Sequence, residues 1–295
     1  FGFSLFLRTK ITLRQRGLLK ESVNVVNTGG IVRLARLILQ GTLLFEGIGA
    51  LILTLCFLRD MPFSQALYYG IFHSISAFCN AGFDLMGAFG MSSFIGYNTN
   101  WIVCITLMAL IFIGGIGFFV WGDLKEHKLH IRKYALHTKI VLITSLILII
   151  GPSILFLILE RHALFADMNT PQAILNALFC AVTPRTAGFN TTDIASLSQS
   201  SQLLTIILMF IGGCPGSTAG GAKVTTITVL ILYLRSMLTR TDGVNIFKRR
   251  LEDEAVSKAA AVFTTHMLLA VVATFLISAD NDEDQQGQTE ITERV

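Results

Sequence analysis

Charge is scarce in this sequence. Only 14% of its 295 residues are Asp, Glu, Lys or Arg, against roughly 25% in an average soluble domain. Hydrophobic residues make up 53% and the mean hydropathy is +0.65, more apolar surface than a soluble globule of this size can hide. The bilayer is the natural solvent for such a chain. Proline is also rare, with five in all, so long stretches carry no helix breaker. Five cysteines (Cys56, Cys79, Cys104, Cys180 and Cys214) show no CxxC pair and no Cys/His ligand spacing, which excludes a disulfide framework or zinc site as the organising feature. No convergent His, Asp or Glu set and no nucleophile motif lies in or beside the apolar stretches, so a membrane enzyme ranks last among function classes.

What charge there is falls in blocks. Eighteen of the 23 Lys and Arg residues lie in 1–40, 122–139 and 235–258, separated by apolar runs. The net charge of +4 therefore reads as three basic clusters on the cytoplasmic face. Motifs for base or strand recognition are missing, and nucleic acid is not an expected partner.

A helix needs ~20 apolar residues to cross the hydrocarbon. Windows 41–58, 101–121, 139–159 and 259–279 fit. The stretch 202–234 is longer than one crossing and is interrupted by Gly212-Gly213-Cys214-Pro215-Gly216-Ser217-Thr218-Ala219-Gly220-Gly221, which breaks a helix at mid-depth. Segments 65–79 and 171–184 are apolar but only three to four turns long, the length of re-entrant helices. Each runs into a glycine turn, Asn80-Ala81-Gly82-Phe83-Asp84 or Thr186-Ala187-Gly188-Phe189-Asn190.

A shift of 106 residues lays one turn on the other without a gap. Ala81, Gly82 and Phe83 fall on Ala187, Gly188 and Phe189, and Asn80 falls on Thr186. The flanks repeat as crossing, short helix, turn, crossing and basic loop. With 1–40 inside and both short helices re-entrant from outside, all three basic clusters land on one side, as the positive-inside rule requires. The expected fold is thus an all-α, multi-pass membrane protein built from helix–pore helix–turn–helix units.

Irregular backbone at membrane depth must be protein-buried or line water. Main-chain carbonyls at Gly82 and Gly188, bent toward one axis through φ > 0, can replace a potassium ion's hydration shell without a trapping charge. The short helices aim their partly negative C-terminal ends at the same place.

The patterns HSISAFCNAGFD (73–84), VTPRTAGFNTTD (182–193) and GGCPGSTAGGAKVTT (212–226) resemble the Ktr/Trk/HKT potassium transporters over about residues 1–279. The resemblance implies a membrane-embedded translocating subunit of four such repeats around one pore, two of them complete here. It assigns 1–40 to the end of a first-repeat helix plus a cytoplasmic segment, 41–121 to the second repeat and 139–234 to the third. Residues 122–138 and 235–258 become cytoplasmic basic loops, 259–279 the first helix of the fourth repeat, and 280–295 a polar acidic tail. The sequence is expected to be incomplete at both ends, because the remaining filter turns and the basic residue of the last membrane helix have no counterpart here.

By the same resemblance, filter roles carry over to Asn80, Ala81, Gly82, Phe83, Thr186, Ala187, Gly188 and Phe189. The interrupted helix becomes an intramembrane gate with Gly212, Gly213, Pro215, Gly216, Ser217, Thr218, Gly220, Gly221 and Lys223. K⁺ is the implied cargo and Na⁺ a further ion, with no bound cofactor. Further implications are a homodimer, cytosolic nucleotide-binding RCK/KTN regulatory subunits, and residence in the plasma (inner) membrane. The basic stretch with Arg8, Lys10, Arg14, Arg16, Lys20, Arg33 and Arg36 serves either docking or headgroup anchoring.

Several polar residues keep two readings. Lys223 either snorkels or opposes cation passage, and Glu46 is either functional or a paired structural acid. Arg185 is expected to brace the second turn through carbonyls, and His73 to pack. Asp84 and Asn190 are placed at the pore mouth, and Asn190-Thr191-Thr192 matches a sequon. The competing function is a secondary transporter with alternating access, whose mark is a broken crossing at corresponding positions of both repeats; the obvious long break is in the second repeat, and Gly114-Gly115-Ile116-Gly117 is the place that could weaken the first.

Overall fold

The structure is a computed structural model that describes residues 31–90, 92–128, 130–240, 243–246, 249–251 and 253–293. The expected first-repeat tail, with Arg8, Lys10, Arg14, Arg16 and Lys20, lies outside the described residues, as does Lys248.

Helix α1 (Ile31–Phe57) starts well before the apolar window at 41, so Arg33 and Arg36 ride on the helix and not on a preceding loop. Its Leu44, Ile48, Leu51 and Leu55 are exposed while Leu53 and Phe57 are fully buried. That stripe follows helical spacing and suits a helix with one face to lipid and one to protein. Pro62 then fixes the turn into α2 (Phe63–Phe78). The two helices pack through small residues: a Cβ on Gly70 would collide with the Thr54 hydroxyl and lie 2.8 Å from Ala50 O. Such backbone approach is how helices associate where water provides no drive. Ser74 Oγ adds a bond to Glu46 O at 2.7 Å.

Helix α3 (Trp101–Gly115) is opened by the Asn100 side chain, which accepts from the N–H groups of Ile102 and Val103. Helix α4 (Phe118–His127) follows at a 93° bend. The window 101–121 is therefore a broken crossing, not the unbroken helix its hydropathy suggests. Gly117 at φ +95° provides the corner, and Phe118 N donates to Gly216 O at 2.7 Å, a partner distant in sequence.

The second unit begins with α5 (Leu136–Leu159), which exposes Ile143, Ile147, Ile150 and Ile154 and buries Val141, Ser145, Ser153 and Phe156. Helix α6 (Thr170–Val182) has Asn169 as cap and Pro171 in its first turn. Helices α7 (Gln199–Ile211) and α8 (Val224–Leu238) flank the glycine-rich loop. At 16 and 13 residues, α2 and α6 are too short for a ~30 Å core at 1.5 Å per residue. Among the described residues three helices are long and apolar enough to cross a membrane, or four if the bent pair counts as one span.

By compactness the chain divides after Thr225 into two bodies, which are not the two sequence repeats. The first holds a large core around Phe57, Phe78, Phe94, Phe179 and Phe189, and a smaller one around Phe156, Phe165 and Leu208. The second contains most of α8, an antiparallel pair β1 (Asn245–Ile246) and β2 (Arg249–Arg250), and α9 (Asp253–Glu293). The expected basic loop 235–258 thus holds a small hairpin, a minor departure from an all-helical chain. The segment 280–293, expected as a polar tail, continues α9 as helix. Its Asp, Glu and Gln residues are compatible with helix, and no proline stops it.

Candidate functional site

Both short helices end in the same backbone device. After α2, Asn80 takes φ +51° and Gly82 φ +72°; after α6, Thr186 takes φ +71° and Gly188 φ +83°. These are the residues that the 106-residue shift superimposes. Two non-glycine residues in the left-handed region, at equivalent places, mark a backbone held there by its surroundings. Each turn is also latched by a hydroxyl from its own helix end. Ser76 Oγ donates to Phe83 O at 2.8 Å, and Thr183 Oγ1 donates to Phe189 O.

The two turns meet. A Cβ on Gly82 would lie 2.8 Å from Gly188 Cα, and one on Gly188 would lie 2.9 Å from Gly82 Cα. Ala187 and Phe189 are fully buried, whereas Phe83 is 70% exposed. Phe189 stands against Phe94 at 5.4 Å between ring centroids. The second turn is pinned to the first unit by Asn190 N donating to Ser93 Oγ (3.0 Å) and Phe94 N donating to Asn190 O (2.8 Å). Asn190 is engaged through its main chain, and the Thr192 hydroxyl lies 3.4 Å from the Cys180 thiol. Thr192 is 5% exposed, which leaves the sequon without an accessible hydroxyl.

The glycine-rich segment 212–223 folds back on itself beside these turns. Gly213 N donates to Gly220 O at 3.0 Å and Val224 N to Gly213 O at 2.9 Å. A side chain on Gly212, at φ +65°, would collide with Gly220 O. Ser217 Oγ closes the tip on Cys214 O at 2.6 Å. The loop sits in the bend of the first unit: Cys214 N donates to Gly115 O (3.1 Å) and Thr218 N to Gly114 O (3.3 Å). It also reaches both glycine turns. Asn80 Nδ2 donates to Thr218 Oγ1 at 2.8 Å, which itself donates to Phe78 O at 2.9 Å. Gly220 N donates to Thr186 Oγ1 at 3.2 Å.

The remaining polar residues fall as follows. Lys223 neither extends to an interface nor stands free, since its Nζ donates to Ala219 O of the loop at 2.6 Å. Arg185 is 7% exposed and meets a carbonyl of the glycine-rich segment, Gly212 O at 3.5 Å, together with Ser145 Oγ of α5 at 3.2 Å. His73 is fully buried, and both its ring nitrogens are used. Nδ1 donates to Tyr69 O at 2.7 Å and Nε2 accepts from Leu85 N at 3.0 Å. That fixes a neutral tautomer with no lone pair left for a ligand. Asp84 turns inward to cap Met86 N at 2.9 Å. Glu46 Oε1 lies 4.0 Å from the Cys79 thiol at the end of α2.

Sequence reasoning missed the outer buttress of the second unit. Glu160, just past the end of α5, is fully buried and receives Ser198 N at 3.0 Å and Ser198 Oγ at 2.6 Å. Burial works against its ionisation. Donors from Ser198, Ser201 and Leu164 outweigh burial and hold the carboxyl below its ordinary range. An acid closing an apolar window was the available signal, and its partners at Ser198 and Ser201 lie far along the sequence. Among the described residues no group of three or more His, Cys, Asp or Glu is placed to hold a metal ion.

The TrkH family model, described as a cation transport protein, matches residues 1–286. The potassium/sodium uptake protein NtpJ of Enterococcus hirae is 36% identical over 277 residues, covering 94% of this chain and 60% of that protein. The Ktr system potassium uptake protein B of Vibrio alginolyticus is 34% identical over 271 residues, or 91% of this chain and 59% of that protein. The chain thus spans about three fifths of the length of these curated relatives. The crystal structure of the potassium transporter TrkH from Vibrio parahaemolyticus aligns with a TM-score of 0.71 at 21% identity, over 90% of this chain and 55% of that one. That likeness is one of fold. Because the family match runs through both repeat units and the loop between α7 and α8, the chain belongs to the TrkH family of cation transport proteins.

Proposed function

We propose that the chain conducts potassium uptake across the plasma membrane through main-chain carbonyls at two glycine turns, beneath which a glycine-rich loop acts as the gate. One observation carries this reading: Gly82 and Gly188, in matching left-handed conformations at the ends of two short helices, face each other backbone to backbone. A cation there loses water and gains carbonyl oxygens and two helix C-termini. The filter residues are Asn80, Ala81, Gly82 and Phe83 with Thr186, Ala187, Gly188 and Phe189. The gate runs from Gly212 to Lys223. Two relatives are named for potassium uptake and one of those for sodium as well, which supports K⁺ as cargo and Na⁺ as a second ion. The name "Ktr system" supports an assembly with further subunits, here read as a homodimer carrying a cytosolic nucleotide-binding ring.

A second reading is favoured by a specific observation. The bend at Gly115–Gly117 and the loop at 212–223 break the second crossing of both units at corresponding places, as an alternating-access carrier would require. Reconstitution into vesicles separates the two. With K⁺ equal on both sides and zero membrane potential, an imposed Na⁺ gradient is expected to accumulate no K⁺, while a K⁺ gradient alone drives flux. Accumulation of K⁺ by the Na⁺ gradient would establish the carrier instead.

A further inference from the structure

We propose that Arg185 is a positioning residue that ties the second glycine turn to the neck of the intramembrane loop, so that the loop cannot leave its seat without releasing the turn. Arg185 stands three residues before Gly188 and is 7% exposed. Its guanidinium spans three groups: Gly212 O at 3.5 Å from Nε, and Ser145 Oγ at 3.2 Å and Cys214 Sγ at 3.9 Å from Nη2. The next residue, Thr186, accepts from Gly220 N at 3.2 Å. Two consecutive residues thus hold both strands of the loop's neck, at Gly212 and Gly220, which lie against each other. No carboxylate pairs with Arg185 among the described residues. Its charge rests on carbonyl dipoles and on the C-terminal end of α6, which stops at Val182. The planar fork suits such a multi-point hold, and a lysine ammonium does not.

A second observation points to the same cluster. A cavity of about 10 Å³ is lined by Asn80, Gly115, Val182, Arg185 and Gly213, room for roughly one water molecule. Asn80 Oδ1 is buried there with no hydrogen-bond partner among the described residues, while Asn80 Nδ2 is engaged by Thr218. A water accepting from Arg185 and donating to Asn80 Oδ1 satisfies that oxygen and extends the hold to the first turn. Arg185 then links both turns to the loop.

The transport consequence rests on the filter reading above, but the loop readout does not. Cys214, inside the loop, is fully buried against Ser145 and Arg185, and Cys104 and Cys180 are buried elsewhere. In membranes treated with a small maleimide, labelling at each cysteine is read by peptide mass spectrometry. Arg185→Gln is expected to speed labelling of Cys214 at least ~tenfold, as local opening becomes commoner, with Cys104 and Cys180 still protected, and to lower the preference for K⁺ over Na⁺. If all three buried thiols react, the variant has unfolded and Arg185→Lys decides. That variant keeps the charge but not the fork, and intermediate exposure of Cys214 alone is expected. Protection of Cys214 equal to wild type in a folded variant overturns the tie. Exposure of Cys214 with unchanged ion preference overturns the coupling to the turn, leaving the filter reading to its own test at Gly188.

Discussion

Serine at position 188 is expected to collapse the preference for K⁺ over Na⁺ by at least ~tenfold, equivalent to ~1.4 kcal/mol between the two ions, while leaving a folded protein. Two effects combine. Gly188 sits at φ +83°, where a Cβ costs ~1–2 kcal/mol. The added carbon also lies 2.9 Å from Gly82 Cα, so the two turns must part or one must flip. Either change moves the carbonyls proposed to replace the hydration shell, and discrimination between ions of different size and hydration depends on that arrangement. Gly90→Ser provides the control. Gly90 has φ +69° but nothing within 4 Å of its would-be Cβ, so it bears the backbone strain without the close approach. Rubidium and sodium tracer uptake by the two variants should therefore differ. Equal and unaltered preference in both would remove Gly188 from the filter.

Excising residues 213–220 is expected to raise potassium flux at least ~tenfold, the effect of removing a barrier of ~1.4 kcal/mol. The chain can be rejoined because Gly212 and Gly221 are already in contact, a Cβ on Gly221 lying 2.6 Å from Gly212 Cα. The excised stretch carries the groups that seat the loop: Cys214 N and Thr218 N on Gly115 O and Gly114 O, and Gly216 O under Phe118 N. It also carries the hydroxyl that receives Asn80 Nδ2 and the N–H that bonds Thr186 Oγ1. Ion preference should therefore fall as well, though less than in Gly188→Ser, since the glycine bends keep their latches from Ser76 and Thr183. Flux in vesicles that stays at the intact protein's level would show that the loop is not the barrier.

Much of this architecture is legible in the amino acids, for physical reasons. The crossings and short helices follow from run length against bilayer thickness, and the glycine turns from the 106-residue repeat. Gly114-Gly115-Ile116-Gly117 marks a weak place in the first unit's second crossing, but the full bend was not legible, because the bond from Phe118 N to Gly216 O joins residues nearly a hundred positions apart. The left-handed backbone at Asn80 and Thr186 was also illegible. Neither residue demands it, and it is imposed by the loop bonds their side chains make. Arg185 was read as a brace on carbonyls, but which carbonyl was not legible, because the fold brings Gly212 and Ser145 to it from distant positions in the sequence. Helix α9 outran its apolar part because hydropathy marks where lipid contact ends, not where helical hydrogen bonding stops.

In the proposed filter the carbonyls at Gly82 and Gly188 contact the transported ion. Anomalous diffraction from the protein with thallium in place of potassium tests it most directly. A thallium peak within about 3 Å of main-chain oxygens at both turns, displaced by excess K⁺ and far less by Na⁺, is the result this account predicts. A peak bound elsewhere, with the main-chain oxygens of both turns bare of ion, would contradict it.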